Sequence, residues 1–137
     1  EATMPQDDHK GDLWTYERFQ PGHVFGVIPI QTDAGKRADW GRVFGPTSDR
    51  LPRGMLVTAM MEAYIRAIQP RPDGNVHASQ ELAFTEAQAN WGDTVLVTVS
   101  LVAKEERKGR YWVRFGIEAH VGDAQVMTGT IRSIWAA

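Results

Sequence analysis

The stretch from Gly54 to Ile68, GMLVTAMMEAYIRAI, constrains this chain more than any other segment. Its only frankly polar side chains are Thr58, Glu62 and Arg66, spaced i, i+4 and i+8, and Pro70 and Pro72 mark its end. A helix with this pattern is apolar on nearly every side and has to be enclosed by something apolar. No apolar run in the chain approaches the ~18–20 residues of a membrane span, so the enclosure is protein. Only the narrow stripe of Thr58, Glu62 and Arg66 is left to face a channel or a polar pocket.

The C-terminal half supplies the wrapper. Residues 93–104, 110–121 and 124–135 alternate in the period-2 manner of strands, and 78–86 reads as a fourth. The linkers Glu105–Gly109 and Gly122-Asp123 are short, as antiparallel hairpins require. Upstream, Val24–Ile30 has strand composition, and Pro29 places it at an edge. Asp33–Val43 reads as a short helix weakened by Gly35 and Gly41, with Gly45, Pro46 and Pro52 enforcing a loop behind it. The expected architecture is α+β: a long central helix wrapped by a curled antiparallel meander of about four long strands. Residues 1–13 are expected as a loose arm and 14–137 as one domain.

Composition narrows the function. With 137 residues, 42% hydrophobic and 23% charged, the chain can bury a real core. A formal net charge of −2 provides no global field for nucleic acid or an anionic membrane. The absence of cysteine excludes a disulfide scaffold, a thiolate nucleophile and Cys-ligated zinc. The first ten residues lack the basic-then-apolar build of a signal peptide, and a soluble cytoplasmic protein is expected. Neither a P-loop nor a Gly-x-Gly-x-x-Gly run is present, and no histidine pair has metal-ligand spacing, so no metal is expected. The five tryptophans (14, 40, 91, 112 and 135) read as core and interface residues.

Several short motifs carry a resemblance. Arg53-Gly54-Met55-Leu56 is similar to the His-Gly-Met-Leu opening of a central helix. Phe84, followed by Trp91-Gly92-Asp93-Thr94, is similar to a Phe…Gly-Asp-Thr signature at the head of a long strand. Lys108-Gly109, Gly122 and Thr128-Gly129-Thr130 fall at matching turns and strands, and Tyr16–Gly22 resembles a lead-in segment. Together they resemble the MaoC-like (R)-specific enoyl-CoA hydratases and dehydratases, which have the hot-dog fold. The resemblance implies a dehydratase- or hydratase-type protein that acts on or binds an acyl-CoA or acyl-carrier thioester. It also implies a homodimer, or a hetero-oligomer with another hot-dog chain. No cofactor is expected beyond the substrate's own CoA or phosphopantetheine arm.

The departure from that family matters as much as the match. Its hydratases carry Asp-x-Asn-Pro-x-His between the first strand and the central helix, an acid–base pair. Between Ile30 and Gly54 this chain has Asp33, Asp39 and Asp49 but no histidine. Asp73-Gly74-Asn75-Val76-His77 echoes the motif after the helix, where a turn is the better reading. For hydration, Asp33 or Asp39 has to supply one catalytic role. In hot-dog thioesterases the central helix presents an acid, and Glu62 is the candidate here, with an i, i+4 pair to Arg66 as its plain structural alternative. Substrate binding falls to Arg53, the amide end at Gly54, Met55 and Leu56, and Thr58 on the polar stripe. A third possibility is a non-catalytic subunit that binds an acyl chain. At one hairpin Lys104, Arg107, Lys108 and Arg110 cluster with Glu105 and Glu106 between them, which reads as a solvated tip able to meet a phosphate.

Overall fold

The computed structural model describes residues 12–136, so most of the expected N-terminal arm, His9 included, lies outside the described residues. A short 3-10 turn at Tyr16–Arg18 precedes strand β1 (Val24–Gln31), helix α1 (Ala34–Phe44) and helix α2 (Arg53–Ala67). Strands β2 (Val76–Phe84), β3 (Thr94–Arg107), β4 (Arg110–Val121) and β5 (Ala124–Trp135) follow. The chain is α+β, as expected.

All five strands form one antiparallel sheet in the order β1-β3-β4-β5-β2. Alternating Val95, Val97, Val99 and Leu101 on β3, and Val113, Phe115, Ile117 and Ala119 on β4, turn to one face and are buried. β1 is an edge strand, which accommodates Pro29, a residue that cannot donate to a ladder. The expected four-strand meander needs correction. Only β3, β4 and β5 run as neighbours in sequence; β2 sits beyond β5 at the far edge. Alternation specifies which faces a strand presents but not which strand lies beside it.

The pairing of β2 with β5 depends on a close approach at one glycine. Gly129 lies opposite Leu82, and a Cβ there would meet Leu82 Cδ2 at 2.6 Å and the Glu81 carbonyl oxygen at 2.9 Å. The side chain could turn away, but a backbone oxygen held in the ladder could not. Gly129→Ala is therefore expected to cost about 1–3 kcal/mol through overpacking. Thermal unfolding should show a lower midpoint, and amide exchange should show protection lost first along β2.

The Trp91-Gly92-Asp93-Thr94 motif ties the two halves together. Gly92 adopts φ +97°, its N–H donates to the Thr32 carbonyl at 2.7 Å, and the buried Thr32 hydroxyl donates to the Asp93 carbonyl at 2.6 Å. The end of β1 is thereby fixed to the head of β3. Within Asp73–His77 the structure forms a turn at Asp73-Gly74, with Gly74 at φ +93°, and Val76 and His77 begin β2. Asn75 there donates to the Pro72 carbonyl and accepts from the Ala136 N–H.

Helix α2 buries Met55, Leu56, Ala59, Met60, Ala63 and Tyr64 against the concave side of the sheet, packing on β1, β3 and β4. The Tyr64 hydroxyl is 2.9 Å from Ser133 Oγ, and burial pushes the phenol above its ordinary pKa. Arg71 closes the C-terminal end by donating to the Tyr64 and Ile68 carbonyls, as cations at helix C-termini do. Among the described residues no helix is long and apolar enough to cross a membrane.

Candidate functional site

The expectation that α2 is wrapped on nearly every side fails in the single chain. The sheet covers one half of the helix. On the other half Gly54, Thr58, Ile65 and Arg66 are exposed, and Val57, Met61 and Glu62 are half-buried. Ile65, at 48% exposure, has the same chemistry as the core residues and yet meets no core. The open face is thus a half-cylinder rather than a narrow stripe, with an apolar strip of Val57, Met61 and Ile65 beside the polar one.

Glu62 sits at the edge of this face between two cations. Lys36 Nζ lies 3.3 Å from one carboxylate oxygen, and Arg66 Nη1 lies 3.2 Å from the other. The Arg66 contact is the i, i+4 pair read from the sequence. The Lys36 contact comes from a different helix and also donates to the Gln31 carbonyl at 2.7 Å. Each carboxylate oxygen therefore keeps acceptor capacity for a further donor such as water.

Asp33 and Asp39 occupy different places. Asp33 is the N-cap of α1, its side chain accepting from the Lys36 N–H at 2.9 Å, so it joins the Lys36–Glu62 network at one remove. Asp39 is exposed on α1 and pairs with Arg42. Asp49 faces Arg37 at 3.4 Å. Among the described residues no histidine makes a hydrogen bond or ring contact with these acids: His23 packs against Trp14 and Phe25, His77 against Tyr64, and His120 pairs with Leu96 on β3.

The amide end of α2 follows Pro52, which has extended backbone and supplies no side-chain cap. The Met55 N–H is taken by the Pro52 carbonyl at 2.9 Å, which removes it from the expected donor set. The Gly54 N–H belongs to the first turn, where amides lack intrahelical acceptors. Met55 and Leu56 are buried, so their side chains serve the core. Arg53 lies over the Phe84 ring at 5.1 Å. The Thr58 hydroxyl donates back to the Gly54 carbonyl at 3.0 Å.

Gly54 carries a second feature that the sequence reading missed. A Cβ there would meet the Trp40 ring at 2.6 Å, so glycine admits the indole of α1 rather than only a ligand. Lys36 and Trp40, one turn apart on α1, thus touch α2 at Glu62 and at Gly54. Their i, i+4 spacing was a legible sign of a shared face; the identity of the facing residues was not.

No family model and no curated protein sequence matches the chain. Solved structures do. A monoamine oxidase regulatory protein from Archaeoglobus superposes with a TM-score of 0.75 at 11% identity, covering 90% of this chain and 94% of its own. The (R)-hydratase of A. caviae, involved in PHA biosynthesis, gives 0.67 at 18% identity over 85% and 97%. The fluoroacetyl-CoA thioesterase FlK gives 0.65 at 22% identity over 85% and 87%. At these identities the likeness establishes the architecture, which is the hot-dog fold.

Proposed function

We propose that this chain takes an acyl thioester of the CoA or acyl-carrier type on the open face of α2 and hydrolyses it, with Glu62 as general base. The placement of Glu62 carries the reading: it is the acid on the uncovered half of the central helix, fixed by two cations and open to solvent. Asp33 is engaged as a cap and Asp39 with Arg42, which leaves hydration without an organised acid–base pair. Two of the structural neighbours above bear on the substrate class: FlK is named a thioesterase of an acyl-CoA, and the A. caviae protein an (R)-hydratase.

Helix geometry adds a requirement. Gly54 and Glu62 are eight residues apart, or ~12 Å along the axis. A water on Glu62 cannot attack a carbonyl held at the Gly54 N–H of the same helix. Thr58 is the midpoint of the two. A two-fold axis beside Thr58 would bring Gly54 of one copy opposite Glu62 of another, twice over, as isologous pairing demands. It would also cover Val57, Met61 and Ile65. The working unit proposed is therefore a dimer.

In such a site the Glu62 carboxylate accepts a proton as the water oxygen bonds to the thioester carbon. The oxyanion develops against the amide end of the facing α2. Collapse breaks the carbon–sulfur bond, and the departing thiolate takes the proton back from Glu62, giving acid and thiol. Incubating the pure protein with saturated acyl-CoAs and enoyl-CoAs, followed by mass spectrometry, tests this. Free CoA is the expected product. A gain of one water on the enoyl-CoAs would replace hydrolysis with hydration, and unchanged thioesters would reduce the site to a binding one.

A further inference from the structure

On the side of the sheet away from α2, β4 and β5 place Arg114 directly opposite Arg132. Like charges facing each other across a ladder destabilise a sheet. Trp112 lies two residues before Arg114, hence on the same face. The Arg132 guanidinium sits over its ring at 4.7 Å and that of Arg107 at 5.8 Å. Together with Ala103 and Glu105 these side chains line a concavity.

The charges within it do not balance. Glu105 lies 3.6 Å from Arg107, and among the described residues Arg114 and Arg132 have no carboxylate within salt-bridge distance. Lys104 also lines the concavity, but its ammonium is engaged elsewhere: it donates to the Tyr16 carbonyl at 2.8 Å and lies over the Tyr16 ring. The basic hairpin expected from the sequence is thus divided. Arg107 folds back to join arginines from two other strands, and the resulting site lies on the strand faces, away from the turn.

We propose that this concavity binds a phosphate-bearing small molecule, with Arg114 and Arg132 gripping a phosphomonoester or diphosphate and Trp112 forming the floor. Guanidinium forks match phosphate oxygens bidentately, and an anion between Arg114 and Arg132 turns their repulsion into a shared attraction. The site is independent of the hydrolysis reading, because it stands on the opposite face of the sheet and uses none of the residues around Glu62.

The test is thermal unfolding and calorimetric titration of the full chain with pyrophosphate and, separately, with CoA. Because a ligand that binds only the folded state raises the unfolding midpoint, pyrophosphate should raise that of the wild type. Arg114→Gln should raise the midpoint without ligand, by removing the like-charge pair, and should no longer respond to pyrophosphate. Arg132→Gln should weaken binding by about tenfold or more. If CoA binds and loses affinity in the same variants, the phosphate belongs to the thioester's nucleotide; if pyrophosphate alone does so, it belongs to a separate ligand. Absence of binding by either, or binding that survives both substitutions, would overturn the proposal.

Discussion

Replacing Phe115 with alanine is expected to remove about 3–5 kcal/mol of stability, the cost of deleting a large aromatic from a core that cannot close over the gap. Phe115 is fully buried on β4, and its ring meets those of Phe19, Phe25, Tyr64 and Trp135 at centroid distances of 5.6, 5.9, 5.1 and 5.7 Å. Those four rings belong to the segment after the 3-10 turn, β1, α2 and β5. Each is held by its own backbone, so no single shift fills the vacated volume. Domains of this kind have only about 5–15 kcal/mol in total, and the variant should stand close to unfolding at 37 °C. Urea denaturation should show a much lower midpoint at an unchanged slope. Phe115→Leu keeps most of the volume and is the control, expected to lose about 1.5 kcal/mol or less if the core repacks. A small loss in Phe115→Ala would mean that the aromatic cluster is not the centre of the fold.

That cluster also shows how far the sequence could be read. The alternation of Val113, Phe115 and Ile117 against Trp112, Arg114 and Gly116 told which face each residue takes, because a strand has period two. The hot-dog motifs then told what covers the inner face. Two features were out of reach. The neighbour of β2 depends on a close approach between Leu82 and Gly129, and such a fit has no one-dimensional signature. The open half of α2 was hidden for a different reason. Val57, Met61 and Ile65 have the same letters whether they pack on this chain's own sheet or on a second chain. At the site, Glu62 and Arg66 were legible from their spacing. The partners of Lys36 and Trp40 were not, because they lie 26 and 14 positions away on another helix. Asp33 shows a second local role, since its side chain caps α1 by accepting from the Lys36 N–H. A carboxylate ahead of a short helix is first of all a cap, and its preference for that position says nothing about catalysis.

Glu62→Gln should abolish thioester hydrolysis while leaving the fold in place. A positioned general base contributes about 10²–10⁴-fold, and glutamine cannot accept the proton. The structural cost is small by comparison. The ion pairs to Lys36 and Arg66 involve groups 29–53% exposed, where each such pair is worth about 0–1 kcal/mol. A loss in kcat of roughly a thousandfold with a nearly unchanged unfolding midpoint therefore separates chemistry from stability. The same variant tests the two-copy geometry. Gly54→Val, which drives a branched side chain into Trp40 beside the amide end, should inactivate from the other half of the site. If Glu62 acts across the interface, mixing the two inactive variants rebuilds one intact site in each mixed dimer, and random exchange restores about a quarter of wild-type activity. If both groups acted within one chain, every mixed dimer would stay silent. The ~12 Å between Gly54 and Glu62 along a straight helix makes restoration the expected result, since only a second helix running the opposite way can close that distance.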